Sequence, residues 1–194
     1  MVNTVGSLTE EQKSILVGCL LGDGTMRKKK NAYLEINHCF FQKDLVDWLY
    51  SKFSDYVLTK PKWRKTNGKR EAYRFSTQSL SVFTEYYDRF FLNKRKIIPK
   101  NFKLDCLSLA VWFMDDGCKN NSSIYLNTQH FSKEEQYQLI EMLWKNFGIE
   151  STLNKDKIYF RIRIRTKSAM KFIQLIDKFV LPKFKYKYPS VITP

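Results

Sequence analysis

Two aspartates, Asp23 and Asp116, each close an apolar stretch and stand directly before a glycine. The first stretch reads Leu16-Val17-Gly18-Cys19-Leu20-Leu21-Gly22-Asp23-Gly24, the second Leu109-Ala110-Val111-Trp112-Phe113-Met114-Asp115-Asp116-Gly117. One apolar helix ending in Asp-Gly is commonplace. Two of them, each followed by a similar succession of elements, imply two pseudo-symmetric halves that meet through these helices and bring the carboxylates together. Helix C-termini carry partial negative charge, so paired carboxylates there repel each other unless a cation lies between them. Hard oxygen donors with open positions suit Mg²⁺, which keeps several waters and takes phosphate oxygens as ligands. Such an ion can activate water, orient in-line attack on phosphorus and stabilise the leaving oxygen. The main-chain carbonyls of Gly22 and Asp115 can join Asp23 and Asp116 as ligands, and Mn²⁺ or Ca²⁺ can replace Mg²⁺ for binding. The Asp115 side chain points to another side of its helix and is expected to be structural.

The elements that position these acids are legible in outline. Ser7 or Thr9 can cap a first helix whose apolar face is Leu8, Ile15, Leu16, Cys19 and Leu20 and which stops at Gly24. A strand at 33–37 and an amphipathic helix at 43–53 follow. Segments 56–64 and 70–77 then form a hairpin around Thr66-Asn67-Gly68-Lys69, and a helix spans 80–91. The same order recurs as a helix at 104–116, a strand at 123–128, a helix at 132–147 capped by Ser132 with Glu135, a hairpin at 152–166 turning near 154–156, and a helix at 168–179. The expected fold is α+β, with two pseudo-symmetric αββαββα halves, central packed motif helices and two antiparallel sheets forming a saddle. The halves are expected at 7–99 and 100–189, as one pseudo-dimeric unit joined near Ile98-Pro99-Lys100-Asn101. Gly18 and Gly22, four apart, admit a close helix, whereas Val111 and Asp115 at the matching positions are larger, so the packing must be asymmetric.

The 194 residues carry 34 Lys plus Arg against 19 Asp plus Glu, a net charge of +15 that favours a polyanionic partner. With 43% hydrophobic residues the chain can bury a core. No apolar stretch approaches the ~18 residues of a membrane span, so no membrane partner is expected. Met1–Thr9 is neither basic nor apolar enough for a secretory signal. Cys19, Cys39, Cys106 and Cys118 match neither a zinc site nor a disulfide framework. They are expected to be buried reduced thiols in an intracellular, reducing setting, an organelle or a prokaryotic cytoplasm. His38 and His130 are expected to be structural residues or DNA contacts rather than ligands.

Strand faces carry the charge. Lys155, Lys157, Tyr159, Arg161, Arg163 and Arg165 alternate with Ile158, Phe160, Ile162 and Ile164, so one face is basic and the other apolar. Lys60, Lys62, Arg64, Arg70 and Arg74 repeat the pattern less cleanly. Tyr125, Asn127 and Gln129 belong on the same face as the arginines. Arg, Asn and Gln are the usual readers of guanine and adenine edges, and a two-stranded ribbon fits the major groove.

These residues resemble the LAGLIDADG homing endonuclease family, in its monomeric two-motif form. The nine-residue motif aligns with Leu16–Gly24 and Leu109–Gly117, and its acid falls on Asp23 and Asp116. Asn127-Thr128-Gln129 with Phe131, Ile98-Pro99-Lys100-Asn101 and Tyr186-Lys187-Tyr188-Pro189 extend the likeness from about residue 8 to 189. The resemblance implies metal-dependent double-strand cleavage of a long, asymmetric DNA site. It adds Lys96 and Lys187 as catalytic candidates that lower the pKa of water or hold phosphate. An RNA-binding intron maturase on the same fold is the alternative, and intron RNA its partner. A non-cutting DNA-binding regulator would typically carry an appended helix-turn-helix domain, for which no residues are left over.

Overall fold

Helix α1 (Glu10–Leu21) starts where Thr9 and Gln12 close a capping box, which settles the two candidate caps in favour of Thr9. Helix α4 (Cys106–Asp116) starts the same way, its Asp105 side chain accepting from the Ser108 amide. In the computed structural model, which describes residues 6–65 and 71–189, these two helices pack against each other at the centre. Both are buried on all sides along their C-terminal two-thirds, from Ser14 in α1 and from Ser108 in α4. The single apolar face expected for α1 is therefore too narrow, since a helix apolar all round belongs inside. The contact is as tight as its glycines allow. A Cβ on Gly18 would lie 2.6 Å from the Ser108 carbonyl oxygen and 2.6 Å from the Val111 Cβ. The larger residues of α4 fill the gaps left by the glycines of α1.

Each helix leads into a four-stranded antiparallel sheet. After α1 come β1 (Thr25–Lys28), β2 (Ala32–His38), helix α2 (Lys43–Phe53), β3 (Lys62–Lys65), β4 (Glu71–Ser76) and helix α3 (Ser81–Phe90), with sheet order β1-β2-β4-β3. A two-strand ribbon, β5 (Phe91–Leu92) and β6 (Arg95–Lys96), follows, turning through Asn93 and Lys94 at φ 50° and 65°. Positive φ at both turn residues is the I′ geometry that matches strand twist. After α4 come β7 (Gly117–Asn120), β8 (Ser123–Leu126), helix α5 (Lys133–Phe147), β9 (Ser151–Asp156), β10 (Tyr159–Ile164) and helix α6 (Thr166–Ile176), with order β7-β8-β10-β9. The α+β class and the αββαββα order, given twice, are as the sequence implies. The helix-facing sides of the sheets bury Met26, Leu34, Ile36 and Phe75 in one half and Ile124, Leu126, Ile162 and Ile164 in the other.

Several expectations are corrected. Helix α1 ends at Leu21 rather than Gly24, with Gly22 as its cap. The second-half hairpin turns at Lys157 and Ile158, not at 154–156, and Lys157 sits at φ 56°. Only Cys19 is a fully buried thiol; Cys39 lies just beyond β2 and is exposed, and Cys106 and Cys118 are half-buried. The expected Asn67-Gly68 turn, with Arg70, falls outside the described residues. Among the described residues no helix is long and apolar enough to cross a membrane.

Candidate active site

The motif helices end side by side but not alike. In α1 the helix stops at Leu21, and the Gly22 amide bonds back to the Gly18 oxygen at 3.2 Å. The Asp23 amide, now past the helix, donates to Asp115 Oδ2 at 2.7 Å. In α4 the helix runs on through Asp116, and Gly117 bonds back to Phe113. The Asp116 carbonyl then accepts from the Asn127 amide at 3.1 Å. The Asp23 side chain is exposed, Asp116 is half-buried and Asp115 is buried. Burial first, and then the negative charges of Asp23 and Asp115, push the Asp116 pKa up to about 8. Burial also raises Asp115, opposed chiefly by His38.

Two lysines close the helix ends with pseudo-symmetric roles. Lys96, delivered by the Asn93-Lys94 turn, donates from Nζ to the Gly22 oxygen at 2.6 Å and to the Gly24 oxygen at 2.7 Å. Lys187, in a 3₁₀ segment (Pro182–Lys187), donates to the Met114 oxygen at 2.6 Å and to the Asp115 oxygen at 3.3 Å. Burial lowers the pKa of both, while the carboxylates of Asp115, Asp116 and Asp23 work the other way. Cations at the last carbonyls of a helix also offset its negative end. The Gln42 amide reaches the Asp115 oxygen at 3.1 Å. The Gly22 carbonyl therefore accepts from one ammonium group and keeps a second lone pair for another partner, whereas the Asp115 carbonyl accepts from both Lys187 and Gln42 and takes a further partner only by displacing one of them.

His38 closes the floor. Its Nε2 lies 3.3 Å from Asp115 Oδ1, and both side chains are almost fully buried. Asp23, His38 and Asp115 together offer one oxygen or nitrogen each within 4.8 Å. Neither Gln42 nor His38 was assigned a role at the motif acids from sequence, because both lie in the other half from Asp115 and no spacing links them.

The basic faces sit where strand register puts them. In the second sheet Arg163 pairs across from Tyr125, so both share one face. The Arg161 guanidinium lies 4.3 Å over the Tyr125 ring and 3.4 Å from Asn127 Oδ1. Arg163 donates to Ser123 Oγ at 2.9 Å, and Gln129 donates to Asp156 at 2.8 Å. In the first sheet Lys62 pairs across from Arg74, and Arg74 from Asn37. Lys60, Lys62, Arg64 and Arg74 line one open cleft.

Three of the residues expected to continue the arginine face do not. Lys155 belongs to β9 and pairs across from Phe160, which puts it on the side of Ile162 and Ile164, because opposed residues share a face. Lys157 is in the turn. Arg165 lies past the end of β10, caps α6 and bonds to Glu150 at 3.3 Å. Conversely, Arg27 was not expected there; it pairs across from Tyr33 on the face of Glu35 and Asn37.

The donors present fit a hard divalent cation. Burial above all, and then the charges of Asp23 and Asp115, disfavour the ionised form of Asp116, a cost that a cation bound by carboxylate and carbonyl oxygens offsets.

Comparison with known proteins bears on the same residues. Residues 13–172 match the sequence model of the LAGLIDADG DNA endonuclease family. A probable intron-encoded endonuclease 1 of Wickerhamomyces canadensis is 31% identical over 93% of this chain and 85% of its own length. The cytochrome b mRNA maturase bI2 of Saccharomyces cerevisiae is 28% identical over 96% of this chain, which spans about half (49%) of that protein. The homing endonuclease I-WcaI, solved bound to its DNA recognition sequence, superposes with a TM-score of 0.88 at 29% identity, covering 94% of this chain and 88% of that one.

Proposed function

The chain belongs to the LAGLIDADG DNA endonuclease family, and we propose that it is a site-specific homing endonuclease, encoded in an intron and making a double-strand break in a long, asymmetric DNA site. The observation that carries this reading is the meeting of two intact motif acids at adjoining helix ends, with a strand face rich in arginine and lysine in each half. The halves, 7–99 and 100–189, act as one pseudo-dimeric unit, so a monomer meets two different half-sites without needing a palindrome.

Asp23 and Asp116, with the carbonyls of Gly22 and Asp115, are the residues that would hold divalent cations, Mg²⁺ by the chemistry of the donors. When bound, the metal polarises the scissile phosphate and lowers the pKa of its water. The chain supplies the rest. Lys96 and Lys187 have lowered pKa values and hold the carbonyls that face the site. They keep positive charge next to where phosphate charge builds up. Arg74, Lys62, Arg64 and Lys60 in one half, and Arg161 and Arg163 in the other, grip the duplex, with Tyr125, Asn127 and Gln129 at hand for base edges. Bending DNA to follow two sheets adds discrimination at base pairs that no side chain touches.

The test is cleavage of a library of randomised duplexes in Mg²⁺, with Asp23→Asn alongside and sequencing of the cut ends. Breaks at one defined sequence that need both Mg²⁺ and Asp23 support the reading. One observation favours a second role. The likeness to a yeast maturase extends over 96% of this chain, and a +15 charge suits RNA as well as DNA. Specific binding of the host intron RNA with stimulation of splicing, and no DNA cut, would replace the endonuclease reading by the maturase one.

A further inference from the structure

A buried carboxylate needs a reason. Asp115 stands on α4 at the motif position that Gly22 holds on α1. Its side chain is 3% exposed, and that of His38 is 2% exposed. A carboxylate buried there for helix packing alone is destabilising unless it is paired. Asp115 Oδ2 takes the Asp23 amide at 2.7 Å, and Oδ1 faces His38 Nε2 at 3.3 Å. Among the described residues neither of those two facing atoms makes a hydrogen bond, so the pair stands at ion-pair distance only. The opposite helix is shaped to admit the carboxylate, since a Cβ on Gly22 would lie 2.3 Å from Oδ2.

The contact is one-sided. Because α1 stops at Leu21, the Asp23 amide has no partner in its own helix. Asp115 supplies one from the other half, while Lys96 fixes the carbonyls on either side, at Gly22 and Gly24. Asp116 receives no such support from α1, where the matching residue is Gly22, which has no side chain. Its own helix carries it instead.

We propose that Asp115, braced by His38, is a positioning residue that sets the main chain of Asp23, and that this brace makes the two strand cuts unequal in their sensitivity. The inference rests on the endonuclease reading for its second half only. The pair is buried. It acts by holding the Asp23 carboxylate where a divalent cation and a DNA phosphate meet it.

The experiment uses the full chain. Asp115→Ala, Asp115→Asn and His38→Gln are compared with the parent by three readouts. The first is exchange of the Asp23 amide in the metal-free protein by ¹⁵N NMR. The second is the Ca²⁺ concentration that gives half-maximal binding of target DNA. The third is the ratio of nicked to linear product in Mg²⁺. Asp115→Ala should speed Asp23 exchange about tenfold, the scale of one lost hydrogen bond, raise the Ca²⁺ midpoint and let nicked DNA accumulate. Asp115→Asn, which keeps an acceptor for the Asp23 amide, should restore much of the exchange protection. Unchanged Asp23 exchange and an unchanged nicked fraction in a folded Asp115→Ala protein would overturn the proposal. So would variants that only lower the melting temperature, with His38→Gln equal to the parent in all three readouts. A parent protein that binds but never cuts removes the endonuclease reading, and the amide exchange still decides the brace.

Discussion

The ends of α1 and α4 align position for position in sequence yet are built differently. At the seventh motif position α1 has glycine and α4 has aspartate. As a result α1 breaks before its acid and α4 carries its acid inside the last turn. Asp23 is exposed and tied to the opposite helix; Asp116 is half-buried, and its pKa is pushed up to about 8. Equivalent acids in a pseudo-two-fold arrangement therefore do not share an environment. The asymmetry follows from packing: two helices this close cannot both carry a side chain at the crossing, so the one with glycine accepts what the other projects.

The largest break in the comparison comes from the acids themselves. Asp116→Asn and Asp23→Asn should each cut cleavage by about a thousandfold or more, with target binding in Ca²⁺ retained. Quantitative cleavage assays on both strands check this, and normal cutting by either variant removes that acid from the site. Next comes the helix crossing. Gly18→Ala sets a Cβ 2.6 Å from a backbone oxygen and 2.6 Å from the Val111 Cβ, and overpacking of this kind destabilises by about 1–3 kcal/mol. Val111→Ala alone should also destabilise, by a cavity. The double variant should be less destabilised than the sum of the two, as neighbours in contact are; denaturant melts of all four proteins measure this. If the effects add, Gly18 and Val111 do not share the space assigned to them.

The two faces of the second sheet give a sharper contrast. Arg163→Ala should weaken target binding by about 1–3 kcal/mol and relax discrimination at one base pair if it reads a base edge. Lys155→Ala, on the opposite side of the same hairpin, should change affinity by well under half of that and leave specificity alone. Binding to a panel of single-base variants separates the two. Equal losses on every sequence for Arg163→Ala would make it a phosphate contact.

How far these contrasts were legible in the sequence depends on the range of the interaction. The paired motifs, the helix caps at Thr9, Asp105 and Ser132 and the apolar strand faces are local patterns, and the structure follows them. Strands β1 and β7 went unseen, because Thr-Met-Arg-Lys and Gly-Cys-Lys-Asn have little alternation, and they exist by pairing with β2 and β8. The turn at Lys157-Ile158 was misplaced by two or three residues. A non-glycine residue at positive φ leaves no composition signal there, and a shift of that kind moves a lysine to the other face. The placing of Lys96 and Lys187 rested on family likeness, since among so many lysines nothing local marks the two whose ammonium groups reach the motif carbonyls. The His38–Asp115 contact joins residues from different halves, and only the folded helix crossing brings them together.

The smallest effect expected distinguishes the two acids by pH. Asp116 has a folded pKa near 8 against 3.8 for an ordinary aspartate. Without metal the folded chain prefers it protonated. Its cost to stability is absent below pH 4, grows as pH rises and is complete above about pH 8. A divalent cation replaces that proton, so Mg²⁺ should raise the melting temperature more at pH 7.5 than at pH 5.5, where each kcal/mol is worth about 2–4 °C for a chain of this size. Asp116→Asn should abolish most of that difference by removing the titrating group. Asp23→Asn should leave a residual pH dependence, since burial alone is the largest cause of the Asp116 shift and the charge of Asp23 comes second. Melts of the three proteins in Mg²⁺ and in chelator at both pH values make the measurement. If the two substitutions flatten the pH response equally, coupling between the acids rather than the burial of Asp116 governs the site, and the two helix ends are electrostatically more alike than their backbones.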